Sequence, residues 1–210
     1  MPNEYLMPAP YHDASVFLAS VDEDWCRHIE AIGPCLLQPK PARDPYEVLV
    51  RAIAYQQLHA KAGDAILARL LALFPALTFP RPEQILATDF AQMRSCGFSA
   101  SKIATIQGIA QAALDGVVPD YATARAMEDE ALIERLVSLR GVGRWTVEIL
   151  LIYSLERPDI LPADDFGVRE GYRRLKGLAH PPSRRQMVDV GLAWRPYRTV
   201  AAWYLWRVPK

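Results

Sequence analysis

Residues 138–155, SLRGVGRWTVEILLIYSL, hold two glycines, Gly141 and Gly143, that interrupt an otherwise continuous apolar helix pattern, and an Arg-Trp-Thr triplet follows at once. A helix, a tight Gly-Val-Gly turn and a second helix make a helix-hairpin-helix. Glycine at both positions allows positive φ and the close approach of another backbone. Val142 between them can face the core and pin the turn. The N–H groups from about Gly143 to Thr146 then open the second helix without helical acceptors, at the positive end of its dipole. Such a turn binds anions, and a DNA phosphate fits it, because phosphate contacts position a duplex without reading its sequence. A plain interhelical turn also uses glycine, so the pattern alone leaves both readings open. Downstream, ILPADDFGVREG (160–171) sets an acidic pair, Asp164-Asp165, after a proline-containing loop and before a helix. One of the two can serve as its N-cap.

These residues need a scaffold, and the sequence predicts a helical one. Apolar residues recur at spacings of three and four, and alternating β-branched runs are missing. Residues 1–15 read as irregular, a helix covers about 20–33, and QPKPARDPYE (38–47) reads as a proline-rich connector with Asp44-Pro45 opening the next helix. That helix runs through YEVLVRAIAYQ, and another begins after QLHA and reaches Phe74. Further helices are expected at about 82–87, 89–95, 101–115, 121–126, 129–138, 144–155, 165–176, 183–190 and 195–206. Short helices with brief Gly- or Pro-marked links predict an all-α fold.

Composition narrows the function classes. The 210 residues are 51% apolar and 23% charged, as in an ordinary soluble globular protein. The run ILLIY is far too short to span a bilayer, and MPNEYLMPAPYHDASVF lacks the basic and apolar regions of a secretory signal; a cytoplasmic location is expected. Cys26, Cys35 and Cys96 lie far apart, which suits reduced thiols and excludes an iron–sulfur cluster on ligand count. Net charge is zero, but residues 165–210 carry ten Lys and Arg against three acids, while acids gather at 22–25 and 128–134. A basic C-terminal face could track phosphates; solvated helix surfaces would look the same.

The stretch from 134 to 171 resembles the helix-hairpin-helix DNA glycosylase superfamily, whose hairpin reads L-P-G-V-G-x-(K or W)-T and is followed by an aspartate about twenty residues on. Here LRGVGRWT and LPADDF stand in those places. The tryptophan and the acidic pair look like the alkylated-base branch, of the 3-methyladenine DNA glycosylase II type. VRAIAYQQLHAKAG (50–63) is similar to the Q-Q-L-S-x-x-A helix junction, MRSCGFSASKIATIQGIA (93–110) to the G-L-S-x-x-K-A segment, and WRPYRTVAAWYLW (194–206) to the W-x-P-x-R helix. Arg140 replaces the usual proline before the first glycine, and His59 stands where serine is common.

The resemblance implies site residues and chemistry. Members with lysine at the position of Trp145 attack the sugar and cut the strand; a tryptophan there implies a monofunctional hydrolase. Asp165, preferred over Asp164, would stabilise charge developing on the deoxyribose and orient or deprotonate water. Trp145, Phe166, Tyr197 and Trp194 are the candidate base pocket, since a cationic alkylated base stacks on aromatic rings with about 0.5–2 kcal/mol of cation–π attraction. Gly141, Gly143, Arg144 and Thr146 of the hairpin and Gln56, Gln57, Leu58 and His59 of the junction are the candidate DNA contacts, with Gln57 or Leu58 filling the hole left by a flipped nucleotide. No cofactor is required; a monovalent cation (Na or K) on the carbonyls of Val137, Leu139 and Val142 is implied by the family alone.

The expected architecture is two helical lobes, residues 46–158 and residues 1–45 with 159–210, with Asp165 in the cleft between them. The expected partner is double-stranded DNA carrying damaged bases, met by a monomer, with no membrane and at the nucleoid or in the nucleus. Two alternatives stand beside alkylpurine excision: a glycosylase of the same superfamily for another lesion, and a non-catalytic helix-hairpin-helix DNA-binding protein.

Overall fold

The computed structural model describes residues 11–39 and 43–209. The N-terminal residues 1–10, three residues of the connector (40–42) and the final lysine lie outside the described residues, and so do the readings that fall on them. All regular structure among the described residues is helical. By its internal contacts the chain divides into two compact units, Lys40–Leu155 and Met1–Pro39 with Glu156–Lys210.

The first three helices are α1 (His12–Ala19), α2 (Glu23–Ile32) and α3 (Pro45–Tyr55). Helix α1 lies where an irregular segment was expected. Its N-cap, Tyr11, is left-handed at φ 71° and gives no side-chain hydrogen bond, so the usual Ser/Thr/Asp start signal is missing. Helix α2 does carry that signal: Asp22 accepts from the amides of Asp24 and Trp25.

In the unit Lys40–Leu155, α3 is followed by α4 (Ala60–Ala72), α5 (Pro82–Ala87), α6 (Phe90–Ser95), α7 (Ala100–Leu114), α8 (Tyr121–Ala126), α9 (Asp129–Val137) and α10 (Arg144–Tyr153). Helix α7 lies at its centre. Its apolar stripe, Ile103, Ile106, Ile109 and Ala110, is buried against α3, α5 and α6. Helix α3 in turn meets α4 and α10.

In the other unit α1 and α2 join α11 (Phe166–Leu175), α12 (Arg184–Val190), a 3-10 turn (Gly191–Trp194) and α13 (Arg198–Leu205). Helix α13 is the core element, with Thr199 to Leu205 all buried. It begins after Tyr197, whose N–H returns to Trp194 O at 2.8 Å. Helices α11 and α13 cross at Gly171, where an added Cβ would lie 2.0 Å from Leu205 O. That clash is with backbone, which cannot rotate away. Gly171→Ala is therefore expected to cost about 1–3 kcal/mol by overpacking, seen as a lower thermal unfolding midpoint; an unchanged midpoint would mean that the crossing is looser than described.

Candidate active site and nucleic-acid interface

The hairpin closes through Val142 N–H, which donates to Leu139 O at 3.1 Å, and the Val142 side chain is buried. Gly141 takes φ 82° and lies against α7: a Cβ there would stand 2.8 Å from Thr105 Oγ1. Gly143 departs from the expectation. Its φ is −90°, open to any L-residue, and a Cβ there would meet nothing within 4 Å. Neither strain nor crowding inside the chain calls for glycine at 143; a side chain would occupy only the open space before the N-terminus of α10. Gly143 caps α10 without a side chain, and the amides of Gly143 and Arg144 donate to no acceptor among the described residues.

Two hairpin residues expected to meet DNA are otherwise engaged. Thr146 N–H donates to Gly143 O at 3.0 Å, and its side chain is buried, so the free donors end before it. Arg144 forks onto both carboxylate oxygens of Glu130 at 2.7 Å and reaches Glu148 Oε1 at 3.0 Å. The Glu130 hydrogen bonds, then those to Glu148, hold its pKa above the ordinary arginine value against the opposing effect of burial. Arg144 thus fastens α9 to α10 instead of projecting its charge.

The α3–α4 turn carries the other candidate contacts. Gln57 takes φ 58°, a left-handed conformation uncommon outside glycine, and Gln57, Leu58 and His59 are exposed. Gln56 is engaged: its Nε2 donates to Gly141 O at 3.1 Å, tying this turn to the hairpin. Lys102 of α7 donates from Nζ to Ala54 O at 3.0 Å and to Gln56 O at 2.8 Å, occupying carbonyls at the C-terminus of α3.

Between this turn and α10 lies a mostly apolar cavity of about 480 Å³, walled by Trp145, Tyr55, Gln56, Gln57, Val48 and Ile149. Trp145 is 46% exposed. Tyr55 is an unanticipated wall residue. A Cβ on Gly63 would sit 2.3 Å from its ring, and its hydroxyl donates to Asp64, which with burial raises the phenol pKa. The absent side chain of Gly63 therefore makes room for the ring.

In the other unit Asp165 is the N-cap of α11. Its Oδ1 accepts from Val168 N–H and from Trp206 Nε1–H, both at 2.8 Å. Asp164 is 68% exposed, with only a loose 4.0 Å approach from Arg169. Gly167 makes the arrangement possible, since a Cβ there would stand 2.8 Å from Trp206 Cδ1 and 3.1 Å from Asp165 Oδ1. Trp206, which the sequence did not single out as a site residue, thus serves as a donor to the carboxylate.

The four predicted pocket aromatics part company. Trp145 lines the cavity described above. Phe166 is 75% exposed at the start of α11. Tyr197 is half-buried, edge-on to Phe17 at 5.4 Å. Trp194 is core: it is 2% exposed and packs edge-on against Trp25 at 5.3 Å, so no base can reach its face. The basic C-terminal excess is also largely consumed. Arg173 and Arg174 grip Glu170, holding that carboxyl down at about 2, Arg173 foremost. Lys176 pairs with Asp22 and Asp24, and Arg195 and Arg198 with Asp159.

The sequence profile of the HhH-GPD superfamily base excision DNA repair proteins matches residues 50–192. The chain belongs to this family. It is 44% identical over 200 residues to DNA-3-methyladenine glycosylase 1 of Schizosaccharomyces pombe, covering 94% of this chain and 87% of that protein. It is 37% identical to the alkylbase DNA glycosidase-like protein mag2 of the same yeast, over 95% and 94% of the two chains. Among solved structures, S. pombe 3-methyladenine DNA glycosylase (Mag1) in complex with abasic DNA superposes with a TM-score of 0.83 over 93% of this chain and 95% of that one. DNA-3-methyladenine glycosidase of Bacillus halodurans, 31% identical, gives 0.81 over 92% and 88%.

Removing Arg144 would take a charged hydrogen bond from the buried Glu148 carboxylate and two from Glu130. Arg144→Ala is expected to cost about 1.5–3 kcal/mol, the worth of a charged hydrogen bond, as a lower urea midpoint. Undiminished stability with weakened DNA binding would instead restore Arg144 to the role of a phosphate contact.

Proposed function

We propose that this chain hydrolyses the N-glycosidic bond of alkylated purines in double-stranded DNA and leaves an intact strand carrying an abasic site, the first step of base excision repair. The observation that carries the reading is Asp165, a carboxylate fixed by two donors at the family's acidic position, in a chain whose hairpin has Trp145 and no lysine. The 44% identity to a 3-methyladenine DNA glycosylase supports the same assignment.

In this reading the open N-terminus of α10 holds a phosphate through the Gly143 and Arg144 amides. The damaged nucleotide leaves the stack at a cost of a few kcal/mol. Gln57, exposed and held left-handed, fills the hole, with Leu58 and His59 beside it. An N3- or N7-alkylated purine carries a formal positive charge, so it departs once the pair of the C1′–N bond returns to its ring and neutralises it. Asp165 stabilises the cationic sugar and takes a proton from the water whose oxygen bonds C1′. Aromatic faces such as that of Trp145 favour the cationic base over a neutral one.

A single chain suffices for one lesion, so a monomer is the working unit. The reaction calls on no metal or organic cofactor. A monovalent cation at the hairpin would rest on the carbonyls of Val137, Leu139 and Val142. The donor chemistry allows it, since Leu139 O accepts Val142 N–H and keeps a second lone pair.

The test is incubation of methylated duplex DNA with the protein, followed by chromatography of free bases and sizing of the strands before and after alkali. Release of 3-methyladenine and 7-methylguanine, with breaks appearing only after alkali, is the expected result. Breaks before alkali would overturn the monofunctional assignment. Absence of base release would overturn the substrate class and turn attention to oxidised or deaminated lesions.

A further inference from the structure

Lys102 has no carboxylate partner among the described residues, yet its ammonium is held in a part-buried site at the end of a helix. Its ammonium donates to two main-chain oxygens, Ala54 O at 3.0 Å and Gln56 O at 2.8 Å. Burial without a compensating acid lowers its pKa. A charge kept there at such cost must be compensated by the carbonyls, and the C-terminus of α3, where carbonyls lack N–H partners and the dipole is negative, supplies them.

What these carbonyls belong to gives the contact its meaning. Gln56 is the C-cap of α3, with an extended backbone (φ −51°, ψ 130°), and the next residue is left-handed Gln57. Leu58 N–H closes the turn on Tyr55 O at 3.1 Å. Without an external grip nothing among these bonds holds the Gln56 carbonyl, and the peptide between Gln56 and Gln57 is free to turn over, taking the Gln57 side chain with it. The same α7 carries Thr105 one turn further on, in contact with Gly141, and Gln56 Nε2 reaches Gly141 O. One helix therefore indexes both the turn that bears Gln57 and the hairpin.

We propose that Lys102 is a positioning residue, whose ammonium clamps the C-terminal carbonyls of α3 so that Gln57 stands ready to enter a DNA duplex at the space left by an extruded nucleotide. The proposal rests on the assignment of this chain as a base-flipping enzyme, but its test reads DNA engagement and does not require catalysis.

The experiment uses the full chain with Lys102→Met, which keeps the stem and removes the charge, and Lys102→Arg, which restores a cationic donor. The probe is a duplex holding a tetrahydrofuran abasic analogue flanked by 2-aminopurine, with the undamaged duplex as reference. Lys102→Met is expected to weaken affinity for the abasic duplex about tenfold, to leave affinity for the undamaged duplex within twofold, and to lose the 2-aminopurine fluorescence change that insertion produces. Lys102→Arg is expected to recover most of both. Equal weakening on both duplexes, or no change on either, would overturn the proposal. Should Lys102→Met fail to fold, Lys102→Gln, with a donor but no charge, takes its place with the same expectations. A wild-type protein that excises no base yet shows this pattern would leave the positioning role standing and remove only the proposed reaction.

Discussion

Asp165 Oδ1 accepts two hydrogen bonds at once, from the Val168 amide and the Trp206 indole, each at 2.8 Å. The arrangement of residues 156–209 serves this double acceptance. The first bond is ordinary capping, satisfying one of the orphan donors at the start of α11. The second requires the chain to return from α13 to the same oxygen, and it can do so only because α11 and α13 cross at Gly171 and Gly167 leaves the indole its place. Two donors on one oxygen fix the direction of the carboxylate, which suits a group proposed to face a developing cation.

The unit of residues 43–155 follows a comparable logic with different parts. Its two functional turns are separated by most of the unit's length, but both are referenced to α7, through Lys102 and Thr105. Charges that would otherwise crowd the hairpin are spent internally, Arg144 on Glu130 and Glu148. What the hairpin offers is therefore main chain: two amides, an open approach at Gly143, and the exposed face of Trp145. Such a surface can hold a phosphate without selecting a base.

The helices and the two turns were legible in the sequence because their signals are local. Glycine at 141 answers a positive φ, Asp165 caps the next helix, and the three-and-four spacing of apolar residues marks each buried stripe. The reading failed where side chains choose partners across the fold. Nothing near Trp206 announces a carboxylate 41 residues upstream. Arg144 looks like a phosphate contact until Glu130 is seen across the hairpin, and Trp194 looks like a pocket wall until Trp25 covers it. Tyr55 depends on a missing side chain at Gly63, eight residues away and beyond a turn. Helix α1 escaped because it starts on a left-handed tyrosine with no cap.

In the proposed reaction Asp165 drives the chemistry and not the binding. Its most direct test is the single-turnover rate of 7-methylguanine release by Asp165→Asn, measured beside the affinity of the same variant for abasic duplex DNA. Asparagine keeps an acceptor for Val168 and Trp206 but loses the charge. The expected result is a rate lower by about 10²–10⁴-fold, the range for a positioned acid–base group, with affinity retained within a few-fold. A rate close to wild type would contradict it and move the catalytic role to another group, Asp164 first.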